Sequence, residues 1–188
     1  MNSDLELALE MATTADQLAM SRYRSLDLNI ETKPDFTPVT EADRAVETAL
    51  REVLATERPS DGVIGEEFPN TNETATRTWI IDPIDSTKNY VRGVPVWGTL
   101  IALAVDGNPQ VGVVSAPAMG RRWWASPEDG AFTQDVDGSV RSISVSAVRD
   151  LADASFSFSD SVGWEALGSD ALTRITSSVW RSRGYGDF

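Results

Sequence analysis

Four carboxylates of this 188-residue chain stand where an apolar pattern breaks: Asp43, Glu66, Asp82 and Asp85. The last two lie in "WIIDPIDSTKN", Trp79 to Asn89, where an apolar strand ends at Asp82. Pro83 then fixes a turn, and Asp85 can point back towards Asp82. Two carboxylates that close repel unless one is protonated or a cation stands between them. Magnesium suits the gap, because it takes oxygen ligands, keeps several waters and commonly binds through one or two carboxylates plus a substrate phosphate. Glu66, after "VIG", offers a third side to such a site, and the Thr87 hydroxyl can hydrogen-bond a water there. If a helix opens after Asp85, its free N–H groups would receive a phosphate.

Each of these residues also has a purely structural reading. Asp82-Pro83 is a common turn starter, and Asp85 to Thr87 fits a helix N-cap. Asp43 lies in "TEAD", which with Thr40 as cap matches a capping box. Glu66-Glu67 alone reads as a solvated charge pair, and the tryptophans around Trp97 and Trp123-Trp124 as core or interface. The order and spacing of the whole set favour chemistry over coincidence. Two other phosphate motifs are excluded: the aspartates are not spaced as D-x-D-x-T, and there is no G-x-x-x-x-G-K-[ST].

Composition narrows the chemistry further. With neither cysteine nor histidine, the chain has no disulfides, thiol nucleophiles, Ser-His-Asp triads, phosphohistidines or Cys/His zinc sites. Oxygen chemistry with hard metal ions remains. Sixteen basic against 29 acidic residues give a net charge of −13, which repels nucleic acid and anionic membranes. No apolar run reaches a membrane span and the first thirty residues lack signal-peptide character, so a soluble cytoplasmic protein is expected.

The elements that position the acids follow from hydrophobic periodicity. Leu5, Ala8, Leu9, Ala12, Ala15, Leu18 and Ala19 form one stripe of a helix between Asp4 and Leu26. A second helix after Thr40 carries Ala42, Ala45, Val46, Ala49, Leu50, Val53 and Leu54, and the segment bracketed by Pro34 and Pro38 is an extended loop. "WGTLIALAV" and "QVGVVSA", joined by "DGNP", read as central strands of a sheet covered on both faces. "RRWWAS", "SISVS", "ASFSFS" and the start of "VWRSRGYGDF" are further strands, and a helix lies within Glu165 to Ser178. Helices first and then a strand-rich block predict an α+β layered sandwich in a single domain over 1–188, with no linker.

"GEE" at Gly65 to Glu67 followed by "WIIDPIDSTKN", with Asp43 in its "T-x-A-D" segment, resembles the inositol monophosphatase family of magnesium-dependent phosphatases. The likeness runs along essentially the whole chain. "TKPDFTPVTEADRAVE", "RGVPVWGTLIALAVDG", "VGVVSAPAMGRRWWA" and "VWRSRGYGDF" are most similar to its actinobacterial histidinol-phosphate phosphatase branch. The resemblance implies an αβαβα sandwich, a homodimer and two or three Mg²⁺ ions per site. It implies metal ligands at Glu66, Asp82, Asp85 and the Ile84 carbonyl, and a water-activating pair in Asp43 and Thr87. It implies substrate contacts from Glu66, Asp85, Ser86, Thr87, Arg183 and Asp187.

The implied reaction is hydrolysis of histidinol phosphate, a step of histidine biosynthesis, with an inositol or other sugar phosphate as the alternative substrate. An acid at Asp187 suits the ammonium group of histidinol, which neutral inositol lacks. Ser86 stands where the family more often has glycine, which a turn tolerates if its φ is negative. Family members continue for further strands and supply another metal-binding aspartate there. The expectation is therefore a chain lacking its C-terminal portion, and a non-catalytic metal-binding fragment is the alternative outside enzymes.

Overall fold

The computed structural model describes residues 2–34, 36–159 and 161–185, whose contacts group into two compact units, Met1–Ile143 and Ser144–Phe188. In the first unit, α1 (Ser3–Arg22) starts where the Asn2 side chain accepts the Asp4 amide at 2.9 Å. A small antiparallel hairpin follows, β1 (Ile30–Thr32) and β2 (Pro38–Thr40), and leads directly into α2 (Glu41–Glu57). The loop expected between the two prolines is thus the tip of a hairpin. Pro34 lies in that tip and Pro38 opens β2, where its missing N–H costs least.

A seven-stranded sheet completes the unit in the order β3-β4-β5-β6-β7-β8-β9. Its strands are β3 (Gly62–Gly65), β4 (Arg77–Asp85), β5 (Gly98–Val105), β6 (Asn108–Ala116), β7 (Arg121–Ser126), β8 (Gly130–Gln134) and β9 (Val140–Ile143). Only β3 and β4 pair in parallel; the rest are antiparallel. Asp106 and Gly107, with φ of 51° and 74°, form the two-residue turn between β5 and β6. Positive φ at both positions gives the twist that such hairpins need. A short helix, α3 (Thr87–Val91), connects β4 towards β5. The sequence reading missed β8 and placed β9 two residues late, because both are short and flanked by turn residues.

Helices α1 and α2 cover one face of the sheet. Leu5, Met11, Ala12 and Ala15 of α1 and Val46, Leu50 and Leu54 of α2 pack with Trp79, Ile81, Ile101, Leu103 and Val113. Each large side chain buried this way contributes about 1.5–3 kcal/mol. Ala45, expected on the buried stripe of α2, is exposed, and Glu47 is buried in that stripe instead. The opposite face of the sheet is less covered than the apolar runs suggest: Ile64 and Ile80 remain 41% and 43% exposed. Alternation explains this, since Ile101 and Leu103 face the helices while Leu100, Ala102 and Ala104 are half-buried on the other side.

The second unit pairs β10 (Ser155–Phe158) in parallel with β11 (Arg181–Gly184), with α4 (Ala171–Ser178) between them in sequence. Phe156 and Phe158 stack, and both meet the Trp164 ring edge-on. No helix of the described residues is long and apolar enough to cross a membrane.

Candidate active site

Strand β4 does not stop at Asp82, as the Asp-Pro suggests, but runs to Asp85 through a bulge. Asp82 is opposite Leu100 and Asp85 is opposite Gly98, so β4 carries one extra residue in that interval. Pro83, which cannot donate to the ladder, is absorbed there, and its carbonyl accepts the Thr99 hydroxyl at 2.8 Å. In a regular strand, residues three apart face opposite sides. The extra residue turns Asp85 back to the side of Asp82, so the bulge is what makes two acids into one cluster.

Electrostatics confirm the cluster. The Asp82 carboxyl is pushed up from 3.8 to about 8, first by burial and then by the charges of Glu66, Asp85 and Asp43. Its Oδ1 is buried and has no hydrogen-bond partner among the described residues. A carboxylate oxygen without a donor, surrounded by three more acids, is a costly arrangement that a cation would relieve. The residues therefore fit a hard metal ion. Among the described residues no three carboxylates converge closely enough to hold one by themselves. For magnesium, a carbonyl and waters would complete the shell.

Asp43 performs the structural and the candidate catalytic role with different oxygens. Its Oδ2 accepts the Thr40 amide at 2.8 Å and the Thr40 hydroxyl at 2.5 Å, forming the capping box of α2. Its Oδ1 accepts the Thr87 hydroxyl at 3.3 Å. Burial raises the Asp43 carboxyl above its ordinary value, against the lowering effect of the Thr40 hydrogen bonds. The Thr87 hydroxyl has a second acceptor, the Ile84 carbonyl at 3.1 Å, so its one proton is shared between the two.

Ser86 begins α3 in the left-handed region, with φ of 68°, and its side chain makes no cap hydrogen bond. The negative φ expected to accommodate a serine is not what the chain adopts. A β-carbon there costs about 1–2 kcal/mol, and the turn accepts that cost to present Thr87 to Asp43.

Glu66 follows β3, and its Oε1 accepts a hydrogen bond from the Lys33 ammonium at 2.6 Å; Glu67 Oε1 accepts one from the same ammonium at 2.7 Å. The main chain here is clamped by buried Glu47, whose Oε2 accepts the Glu67 amide at 2.7 Å while its Oε1 accepts from Arg51 at 2.7 Å. A β-carbon on Gly65 would lie 2.0 Å from Glu47 Oε1, so any other residue before "EE" would have to push the Glu47 carboxylate out of its place. Sequence reasoning missed Lys33 and Glu47 and read Glu67 as half of a solvated charge pair, whereas its side chain is 4% exposed. The available signal was a glutamate inside the apolar stripe of α2, four residues before an arginine.

The structure thus brings together Asp43, Glu66, Asp82, Asp85 and Thr87, with Ile84 and Ser86 on the connecting backbone. Arg183 belongs to the second unit, on β11, where it donates to the Ser182 carbonyl at 2.7 Å. Asp187 lies outside the described residues.

Such an acidic strand end, with a threonine–aspartate pair beside it, is a candidate site for metal-dependent chemistry on a phosphate. Residues 1–170 match the model of the inositol monophosphatase family. The chain belongs to that family, whose members are metal-dependent phosphatases. At the level of individual proteins, it is 55% identical to the histidinol-phosphatase of Mycobacterium tuberculosis, a match covering 100% of this chain and 72% of that protein. It is 54% identical to the histidinol-phosphatase of Streptomyces coelicolor, covering 98% and 71%. Among solved structures, the extragenic suppressor protein suhB of Bartonella henselae superposes with a TM-score of 0.87 at 25% identity, covering 99% of this chain and 71% of that one. The fold is α+β, as expected.

Proposed function

We propose that this protein hydrolyses histidinol phosphate to histidinol and phosphate with Mg²⁺, as a cytoplasmic homodimer whose partner is a small phosphate ester. The observation that carries the reading is the buried Asp82 Oδ1, which has no hydrogen-bond partner among the described residues and is set among Glu66, Asp85 and Asp43. Glu66, Asp82, Asp85 and the Ile84 carbonyl are the proposed ligands for two or three ions. When bound, Mg²⁺ supplies charge stabilisation for the transferring phosphoryl group and the departing alkoxide.

The chain's own residues supply the rest. While the Thr87 hydroxyl donates its hydrogen bond to Asp43 Oδ1, the Thr87 oxygen is free to accept a hydrogen bond from an attacking water. As that water attacks, its proton passes to the Thr87 oxygen and the Thr87 proton moves to Asp43, a carboxylate made more basic by burial. Asp85, Ser86 and Thr87, where β4 passes into α3, are assigned as the phosphate-binding turn on the sequence match, with Glu66 beside them. Arg183 and Asp187 are assigned to the leaving alcohol on the sequence match alone; the Asp187 carboxylate would pair with the histidinol ammonium.

The relatives named histidinol-phosphatase support this substrate. The test is release of inorganic phosphate from histidinol phosphate and from inositol 1-phosphate at equal concentration in Mg²⁺. Faster release from histidinol phosphate is expected. Preference for inositol 1-phosphate would overturn the substrate while keeping the chemistry.

A further inference from the structure

Lys33 lies at the tip of the β1–β2 hairpin, in a tight turn closed by its own amide on the Thr37 carbonyl at 2.8 Å and by the Phe36 amide on its carbonyl at 2.9 Å. Its ammonium bridges two carboxylates, Glu66 at 2.6 Å and Glu67 at 2.7 Å, and the side chain is only 18% exposed. The two acids differ in freedom. Glu67 is 4% exposed and its amide is fixed by Glu47, whereas the Glu66 side chain is 41% exposed. Both border a cavity of about 530 Å³ lined also by Thr32, Pro34 and Arg44.

Glu66 therefore has two claimants, the lysine and the metal for which it is a proposed ligand. A divalent cation on Glu66 would place like charges across one carboxylate, in a partly desolvated position where their repulsion is weakly screened. Lysine suits the part of a removable cation, since it is a point charge on a flexible four-carbon stem. Once Glu66 is taken, Glu67 remains as an anchored acceptor on which the ammonium can stay.

We propose that Lys33 is a built-in counter-ion that occupies Glu66 while the site holds no metal, and that metal binding displaces it onto Glu67 alone. The inference rests on the assignment of Glu66 as a metal ligand. Its consequence is that metal loading is coupled to the position of the hairpin tip at the mouth of the cavity. It also means that the apparent metal affinity is reduced to the intrinsic one multiplied by the fraction of molecules in which Glu66 is free of the lysine.

Calorimetric titration of Mg²⁺ into the EDTA-stripped protein, without substrate, tests the idea. Lys33→Met and Lys33→Gln each remove the charge and are expected to tighten Mg²⁺ binding about tenfold, if the lysine holds Glu66 in about 90% of molecules. Lys33→Arg keeps the charge and is expected to bind as wild type does. Equal or weaker binding by both neutral variants, with wild type binding normally, would overturn the counter-ion role and leave the metal assignment standing. Binding by neither wild type nor any variant would overturn both.

Discussion

The two ends of β4 hold similar charged groups and treat them oppositely. At the Arg77 end, the guanidinium donates to Asp4 Oδ1 at 3.0 Å and to both Asp61 oxygens at 3.2 Å. Arg58 joins on Asp4 at 3.1 Å, and the buried Trp79 indole donates to Asp61 at 2.9 Å. Eight residues away, at the Asp85 end, acids gather around Asp82 Oδ1, which has no partner among the described residues, beside a serine forced to positive φ. A paired network stabilises the unit, while a strained and under-satisfied one is retained because something else completes it. The strand thus carries a structural end and an end proposed to be functional, and they should respond differently to mutation, pH and metal.

The largest difference should appear on removing the hydroxyl proposed to be catalytic. Thr87→Val is expected to lower kcat by about 10²–10⁴-fold, the range for losing a positioned proton-transfer group, with little change in Tm. Steady-state phosphate release and thermal melting on the same preparation check it. At the other end, Asp61→Asn should act through stability, costing about 1.5–3 kcal/mol, because Arg77 and the Trp79 indole lose a charged acceptor while Arg77 keeps Asp4. Denaturant unfolding reads that loss, and kcat per folded molecule should be unchanged. If the two variants exchanged phenotypes, the division of β4 would be wrong.

A smaller effect is expected from pH. Asp82 has a folded-state value raised to about 8 from 3.8, so burial penalises its ionised form. Its contribution to the stability of the metal-free protein is full below about pH 4 and is lost as pH rises towards 8. In EDTA, Tm should fall across that window, and Mg²⁺ added near pH 8 should restore it; a flat profile would remove Asp82 as the cause. The smallest effect is Ser86→Gly, which relieves the left-handed turn and should raise stability by about 0.5–1 kcal/mol in urea unfolding.

The contrast also shows what could be read from the sequence. Residue types and order announced Asp43, Glu66, Asp82, Asp85 and Thr87, because acids that interrupt apolar runs are visible without coordinates. The two helices were equally legible, since burial follows the 3.6-residue period. The bulge was not, because Asp-Pro looks the same whether a strand ends or continues with one extra residue. Nor were the bridge from Lys33 to Glu66 and the Glu47 clamp on Glu67, which join residues 33 and 20 positions apart. Asp43 shows the limit in another form. Its capping-box reading and its catalytic reading compete in the sequence, yet in the structure the cap uses Oδ2 and leaves Oδ1 to the Thr87 hydroxyl, so the two are compatible.

The measurement that tests the central claim most directly is phosphate release from histidinol phosphate by wild type and Asp82→Asn, each with Mg²⁺ and after EDTA. The account predicts Mg²⁺-dependent release by wild type, abolished by EDTA, and a loss of about 10³-fold or more in Asp82→Asn without loss of folding. Release by Asp82→Asn at the wild-type rate would contradict it.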